Sequence, residues 1–311
     1  MSRTTFAVLL AVGLVAGVWW ARRVDAPPPP VTSAVTTTAP VASTRVPPTP
    51  PAPEPEDVVL PTPPFGEYRS PNLEPAPAPH IRLVPVGTQR RDVVESDEAW
   101  LTRHGLVIAD VADPVARALV PAELHDVALT GLFRAPPGLV AVYGGRYLRL
   151  SQAGTSLVLD LSAYLHSPFD RPNYMRDAFS DADYADLIAQ KVGWAVRRGP
   201  VLYFDNHHET YAADSRNHTA FLSAFDLDRR ELQWRTPPLV ARARNFVVLG
   251  DVIVSGYGMT REPDYVYLID AATGSVVQRV PMPSAPMLLA TKGDRLHIAC
   301  YDAEAEYRIR R

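Results

Sequence analysis

The densest group of metal-ligand side chains in this 311-residue sequence is the stretch DNHHE, which begins at Asp205. It follows an apolar strand-like segment and leads into a polar loop. Alternate side chains of an extended segment point the same way, and imidazole and carboxylate groups are ligands of divalent cations. The candidate ligands are Asp205, His207, His208 and Glu209, which would suit a metal-assisted hydrolase or lyase. A polar loop with exposed imidazoles explains the same residues without a metal.

Other catalytic signatures are missing from the sequence. It contains no G-x-S-x-G or P-loop pattern. Its single cysteine, Cys300, excludes an intrachain disulfide and every multi-cysteine metal site, and its place in the strand-like HIACY predicts a buried thiol. A net charge of −3 gives no electrostatic basis for binding nucleic acid. The sequence therefore favours a non-enzymatic role, and no cofactor is expected.

The N-terminus carries an uncharged apolar segment, residues 4–21. As a helix it would be about 27 Å long, at the short end of what spans a bilayer. Trp19 and Trp20 lie at one end, where aromatic rings favour the membrane interface. We expect residues 1–25 to be an uncleaved transmembrane anchor that places the rest of the chain outside the cytoplasm. Secretion after cleavage of a signal peptide is the alternative.

The next stretch is rich in proline, threonine and alanine. Residues 27–85 hold 19 of the 32 prolines, a density that excludes helix and sheet interiors. We therefore expect residues 26–80 to be a disordered linker in extended, polyproline-like conformations. The folded domain is then confined to residues 81–311.

Short apolar runs separated by turn residues repeat along this domain. Residues 219–238 and 264–283 superimpose so that Asp226 falls on Asp270, and the stretches before them place Gly250 on Gly293. Two earlier, weaker copies begin at Gly193 and Gly138. Each unit has the order strand, glycine turn, strand, loop, strand, aspartate turn, strand. A period of 40–50 residues with four short strands is typical of a β-propeller blade.

The turn residues have a physical role in these units. Asp226 and Asp270 can accept backbone hydrogen bonds, while Gly250, Gly274 and Gly293 supply a positive φ. An amphipathic pattern after Ser180 predicts a helical insertion near residues 170–191, with Tyr184, Leu187 and Ile188 facing the body.

The run YVYLIDAATGSVVQRV resembles the repeat of the quinoprotein-like (PQQ-like) β-propeller family, and residues 199–302 are similar to uncharacterised bacterial members of it. The resemblance implies a propeller and says little about function. PQQ-dependent dehydrogenases of this family are much longer and bring vicinal cysteines and an acidic metal-binding set. This chain cannot supply those features, so PQQ is not expected.

The fold we expect is therefore all-β, a propeller of about four to five blades behind an anchor and a linker. If the propeller has five blades, residues 90–136 supply the fifth. The last unit lacks its final strand, which leaves an open edge. We expect Leu106–Val111 to fill it, with Ile81–Val86 as the second choice and another copy of the chain as the third.

The function that these features favour is a membrane-tethered, extracytoplasmic binding or scaffold module. Its partners would be the membrane, through residues 4–21, and a protein or cell-envelope component. It would lie in the periplasm or at the cell surface.

Overall fold

The computed structural model describes residues 56–59, 66–73, 81–152, 154–165, 179–259 and 261–311, which are mostly β. The strands in chain order are β1 (Glu56–Val59), β2 (Tyr68–Arg69), β3 (Arg82–Arg90), β4 (Glu123–Leu124), β5 (Val127–Ala135), β6 (Gly138–Tyr143), β7 (Tyr147–Gln152), β8 (Thr155–Asp160), β9 (Ala195–Arg198), β10 (Val201–Asn206), β11 (Phe221–Asp226), β12 (Glu231–Arg235), β13 (Val247–Leu249), β14 (Val252–Tyr257), β15 (Tyr265–Asp270), β16 (Val276–Pro281), β17 (Pro286–Lys292), β18 (Arg295–Cys300) and β19 (Ala303–Arg310). The helices are α1 (Asp97–His104), α2 (Asp181–Ile188) and the 3-10 turns Pro114–Leu119 and Ala212–Ser215.

These strands form four sheets, each built around a four-stranded antiparallel meander. Sheet 1 contains β5 to β8, sheet 2 contains β9 to β12, and sheet 3 contains β13 to β16. Sheet 4 contains β17, β18 and β19, and its fourth strand is β3 from the other end of the chain. The repeat predicted from sequence thus appears as one meander per unit.

The predicted turn residues lie at the hairpins of these meanders: Asp226, Gly250, Asp270, Gly274 and Gly293. The Asp270 carboxylate accepts hydrogen bonds from the backbone N–H groups of Ala272 and Thr273, at 3.1 and 2.7 Å. Gly274 has a φ of +67°, and a Cβ there would lie 2.4 Å from the Trp234 ring. Glycine is therefore required for both conformation and space.

The first unit differs from its prediction by one strand. The glycine turn at Gly144 and Gly145 joins the second and third strands of sheet 1. The alignment of the repeated units in the sequence had placed this turn after the first strand. The first strand, β5, comes from the region that was a candidate for a fifth blade. The rest of that region forms α1, a 3-10 turn and the two-residue β4, so the described residues contain four sheets.

Consecutive sheets share hydrophobic cores. One cluster combines buried residues of sheets 1, 2 and 3, and a second combines sheets 3 and 4. Sheet 4 is connected to sheet 1 differently. Trp100 and Leu106 pack against Leu288 and Ala299 of sheet 4, and Ile108 contacts both this cluster and the core of sheet 1. Residues 91–126 therefore join the last sheet to the first. We call the place where these residues pack against sheet 4 the seam.

The open edge of the last unit is filled within the same chain. β3 pairs antiparallel with β19 along its whole length, from Ala303 opposite Arg90 to Arg310 opposite Arg82. The first choice, Leu106–Val111, was wrong, because this stretch forms only a single bridge between Val111 and Phe133. The second choice overlaps β3. A nine-residue strand satisfies more of the exposed N–H and C=O groups of β19 than a six-residue one.

Two short strands come from the stretch expected to be linker. β1 pairs in parallel with β8 on the outer edge of sheet 1, and β2 pairs with β12 on the outer edge of sheet 2. Arg69 fixes β2 by donating to the Arg235 carbonyl at 2.5 Å. The linker prediction is therefore wrong for residues 56–59 and 66–73. The prediction used only the composition of this stretch, and composition does not reveal that the edges of β8 and β12 are open for pairing.

The helical insertion occurs as α2. The Ser180 side chain caps it by accepting a hydrogen bond from the Asp183 N–H at 3.1 Å, and Tyr184 and Ile188 are buried. Among the helices in the described ranges, none is long and apolar enough to cross a membrane. The predicted anchor at residues 4–21 lies outside those ranges.

A truncation that begins at Asp92 removes β3 and should abolish cooperative unfolding or cause aggregation, because the edge of β19 becomes open. A truncation that begins at Pro51 keeps every described strand and should melt at the temperature of the full chain. Calorimetry and size-exclusion chromatography measure both. A monomer from residue 92 that melts like the full chain would contradict the closure by β3.

Candidate functional site

The residues predicted to bind a metal lie at the end of β10, where they have structural partners. Asp205 is buried, and its carboxyl oxygen accepts hydrogen bonds from the N–H groups of Gly193 and Trp194, at 3.0 and 2.7 Å. The β9–β10 pairing ends beside these two residues, and the side chain takes the place of the missing carbonyl acceptors. Burial outweighs these hydrogen bonds and raises the pKa of Asp205 to about 8.

The neighbouring side chains are engaged separately. His208 is buried, with its Nε2 2.7 Å from the Ser215 hydroxyl, and its Nδ1 accepts from the Thr210 N–H at 3.3 Å. His207 forms a backbone bridge with Lys191, and its enclosed Nδ1 has no hydrogen-bond partner among the described residues. Burial, aided by nearby positive charge, lowers the pKa of His207 to about 3 and that of His208 to about 4. Both imidazoles are therefore neutral at pH 7.

These four side chains do not form a ligand set. Glu209 is exposed, His208 is held by the following loop, and Asp205 is held by backbone N–H groups. In the part of the chain that the structure describes, no group of three or more His, Cys, Asp or Glu residues is placed to hold a metal ion. The expectation of a metal-ligand cluster at residues 205–209 is therefore not met.

A different cluster lies at the seam and centres on Glu304 of β19. Its carboxylate accepts hydrogen bonds from Trp100 Nε1 at 2.7 Å, from the Arg103 guanidinium at 3.0 and 3.2 Å and from His104 Nε2 at 2.9 Å. The Gln89 amide of β3 is a further donor. One buried carboxylate thus connects β3 and α1 with β19, which is about 200 residues away in the chain.

The cluster strongly favours the ionised form of Glu304. Burial alone would raise its pKa, but the hydrogen bonds from Arg103, Gln89, Trp100 and His104 outweigh burial and lower the pKa to about 2. Arg103 also forms paired hydrogen bonds with Glu95, both at 2.9 Å. The helix α1 is thereby fixed to sheet 4 by charge-assisted contacts as well as by the buried Trp100.

The local sequence explains why α1 forms beside Glu304. Ser96 caps the helix by accepting from the Ala99 N–H at 3.2 Å, and Gly105 ends it with a φ of +58°. Acidic residues occupy its first turn, while Arg103 and His104 occupy its last, as the helix dipole favours. The same last turn therefore supplies two of the donors to Glu304.

Strand register builds a groove next to this cluster. His297 lies opposite Glu306, which lies opposite Gly87, and these three positions form a row across β18, β19 and β3. The next row contains Glu304 and Gln89. Cross-strand partners share a face of the sheet, so the two rows line one surface. The resulting hollow, of about 190 Å³, is the seam groove, lined by Gly87, Gln89, His104, His297, Glu304 and Glu306.

Two imidazoles border the seam groove. The rings of His104 and His297 lie 5.8 Å apart, and His104 also packs against Trp100 with ring centroids 5.3 Å apart. Since a carboxylate only accepts hydrogen bonds, His104 uses its Nε2–H for Glu304. Burial lowers the pKa of His297, which keeps that ring neutral. The groove thus presents carboxylate and imidazole acceptors.

Sequence reasoning missed this site. The signals that it could have used were the cap at Ser96 and the charged last turn of α1, which predict a helix near residue 100. The pairing of that helix with Glu304 depends on the β3–β19 register, over 200 residues away in the chain. Without the register, Glu304 resembles any polar residue of an edge strand.

The chain matches no family model, and no curated protein matches it. BamB from Moraxella catarrhalis shares 10% identity over 55% of each chain, with a TM-score of 0.28. The computationally designed Ika4 protein shares 12% over 61% of this chain and 95% of its own, with a TM-score of 0.34.

Quinohemoprotein alcohol dehydrogenase ADHIIG from Pseudomonas putida HK5 shares 12% identity over 58% of this chain and 38% of its own, with a TM-score of 0.34. The chain spans about half the length of BamB and less than half that of the dehydrogenase.

The buried ionisable groups predict a stability maximum near pH 6.5. As pH falls from 6.5 towards 4, His207 and His208 become protonated in the unfolded chain but stay neutral in the folded chain. The free energy of unfolding therefore falls. As pH rises from 4 to 8, folded Asp205 keeps a proton that the unfolded chain loses, which lowers stability. Above pH 6.5 this second effect acts alone, at up to about 1.4 kcal/mol per pH unit.

The variant Asp205→Asn should remove that decline, because an amide oxygen can still accept from Gly193 and Trp194 and carries no charge. Urea denaturation at pH 6.5, 7.2 and 8.0 measures the effect. The wild type should lose stability across this series while the variant stays level. An equal decline in both proteins would show that Asp205 is already ionised in the folded state.

Replacing Glu304 should loosen the seam. Glu304→Gln removes the charge while Arg103 and Trp100 still require an acceptor, so we expect a loss of about 3 kcal/mol, as for a broken buried pair. Glu306→Gln, two residues along the same strand and more exposed, is the matched control and should cost less than about 1 kcal/mol. Equal losses in urea denaturation would contradict the special role of Glu304.

Proposed function

We propose that this chain is a membrane-tethered, extracytoplasmic binding or scaffold module for a protein or cell-envelope component. In this proposal the four meander sheets are the blades of a PQQ-like β-propeller. The period of 43 to 44 residues and the shared cores of consecutive sheets support that arrangement. The anchor at residues 4–21 rests on sequence alone, from its apolar length and its tryptophan pair.

The observation that carries the binding function is the use of outer sheet edges. Sheets 1 and 2 each hold a short extended segment, β1 or β2, on the outer edge of the last meander strand. One segment is parallel and the other antiparallel, so the fold accepts extended chain in both directions. Backbone pairing at a sheet edge is a general way of binding polypeptide.

The outer edges of the other two sheets are free along the described stretches of chain. β16 ends sheet 3 and β3 ends sheet 4, and neither has a second neighbour there. Their side chains include exposed valines, with Val277 40% and Val86 49% accessible. An unpaired edge with exposed apolar side chains is a template for strand addition.

The alternative function, a metal-assisted hydrolase or lyase at His207, His208 and Glu209, receives no support from the geometry. The ligand atoms of Asp205 and His208 are occupied by Gly193, Trp194 and Ser215. The binding function is therefore the one that the positive observations favour.

Site-specific photo-crosslinking in intact cells tests the binding function. A benzophenone side chain at Val277 or Val86 should form a defined adduct with another protein, since both positions lie on free edges. The control position is Val94, which is more exposed but lies in a turn before α1. Adducts of equal yield at all three positions, or at none, would contradict a binding role for the sheet edges.

Cell fractionation tests the tether. The intact chain should be recovered in the membrane fraction, and its sheets should be digested by protease added from outside the cytoplasmic membrane. A soluble mature chain that begins near residue 18 would instead establish cleavage of a signal peptide.

A further inference from the structure

We propose that residues 86–90 of β3 accept an extended segment of a partner protein, and that a basic side chain of this segment enters the seam groove beside Gly87. This inference rests on the proposed binding function and assigns it a site and a ligand chemistry. The partner segment would become the fifth strand of sheet 4, as β1 and β2 are for sheets 1 and 2.

The accepting stretch is defined by the irregularity of β3. The register shifts between Glu306 and Tyr307, so that Glu306 lies opposite Gly87 and Tyr307 lies opposite Pro85. Val86 is the extra residue of this bulge. Proline has no N–H to donate, and a bulge interrupts pairing, so a regular ladder can extend over Val86–Arg90 and no further towards the N-terminus.

Gly87 leaves an entrance to the seam groove. A Cβ at this position would have no heavy atom within 4 Å, so the space above it is open. Its φ is not in the left-handed region, and the glycine is therefore not required by the backbone. A side chain of an added strand could lie across Gly87 and reach Glu306 and His297 in the same row.

The chemistry of this row favours a positively charged donor. One oxygen of Glu306 accepts from Arg295 at 2.7 Å, and within the described ranges the other has no partner. His297 makes no hydrogen bond to the described residues and is neutral, so a ring nitrogen is available as an acceptor. Glu304, the second carboxylate of the groove, is paired with Arg103, so the second oxygen of Glu306 and the His297 ring are the acceptors that remain within the described residues. A lysine or arginine head would satisfy these acceptors.

The test uses the full-length protein in detergent micelles and a fluorescent peptide, acetyl-Thr-Val-Thr-Lys-Thr-Val-Thr-amide. Matched peptides carry norleucine or glutamate in place of lysine. We expect the lysine peptide to bind about tenfold more tightly than the norleucine peptide and the glutamate peptide to bind most weakly. Hydrogen exchange should show new protection of the N–H groups of residues 86–90 that face away from β19.

Variants of the protein locate the contact. Gly87→Ile fills the entrance without strain and should weaken the lysine peptide by about tenfold or more, while its melting temperature stays at or above that of the wild type. Val84→Ile, on the same strand but beyond Pro85 and outside the accepting stretch, is the control and should bind normally. Glu306→Gln should reduce the preference for lysine over norleucine.

Three results would overturn the inference: no peptide binding, equal binding of the three peptides, or unchanged binding by Gly87→Ile. Protection of these outward-facing N–H groups in the absence of peptide, in a dimer, would assign the edge to a second copy. If the peptide test fails while crosslinks persist at Val277, the binding function stands and only its placement at β3 is lost.

Discussion

The buried carboxylate of Glu304 is the contact on which the seam depends. It receives donors from Gln89 of β3 and from Trp100, Arg103 and His104 of α1, so β3, the first helix and the last strand are bound to one group. Hydrogen bonds to an ionised group are stronger than neutral ones, and removing one partner leaves a buried charge. Closure of sheet 4 and placement of α1 are therefore coupled.

Two buried carboxyl groups, Asp205 and Glu304, have pKa values that are shifted in opposite directions. At Asp205, two backbone donors do not compensate for burial, and the carboxyl favours its protonated form. At Glu304, cationic and neutral side-chain donors more than compensate for it. The number and charge of the donors decide the outcome. The loop at residues 205–209 is thus a structural element, whereas the seam leaves acceptors of Glu306 and His297 available to a ligand.

Much of the fold was predictable because its determinants are local. The alternation of apolar residues and the turns at Gly250 and Asp270 mark the meanders, and Ser180 marks α2. The contribution of residues 56–59 and 66–73 was not predictable, since pairing with an edge depends on a distant strand rather than on local composition. The Glu304 cluster was hidden for the same reason. The liganding pattern DNHHE misled because residue type alone does not reveal which side chains satisfy buried backbone groups.

Amide hydrogen exchange on the full-length protein tests the central claim, that β3, α1 and β19 form one cooperative unit held by Glu304. In the wild type, the amides of residues 83–89 that face β19 and those of residues 100–104 and 304–309 should exchange with similar, high protection. In Glu304→Gln all three segments should lose protection together, while β14 and β15 keep theirs. Rapid exchange of β3 in the wild type beside a protected β19, or loss confined to one segment in the variant, would contradict the claim.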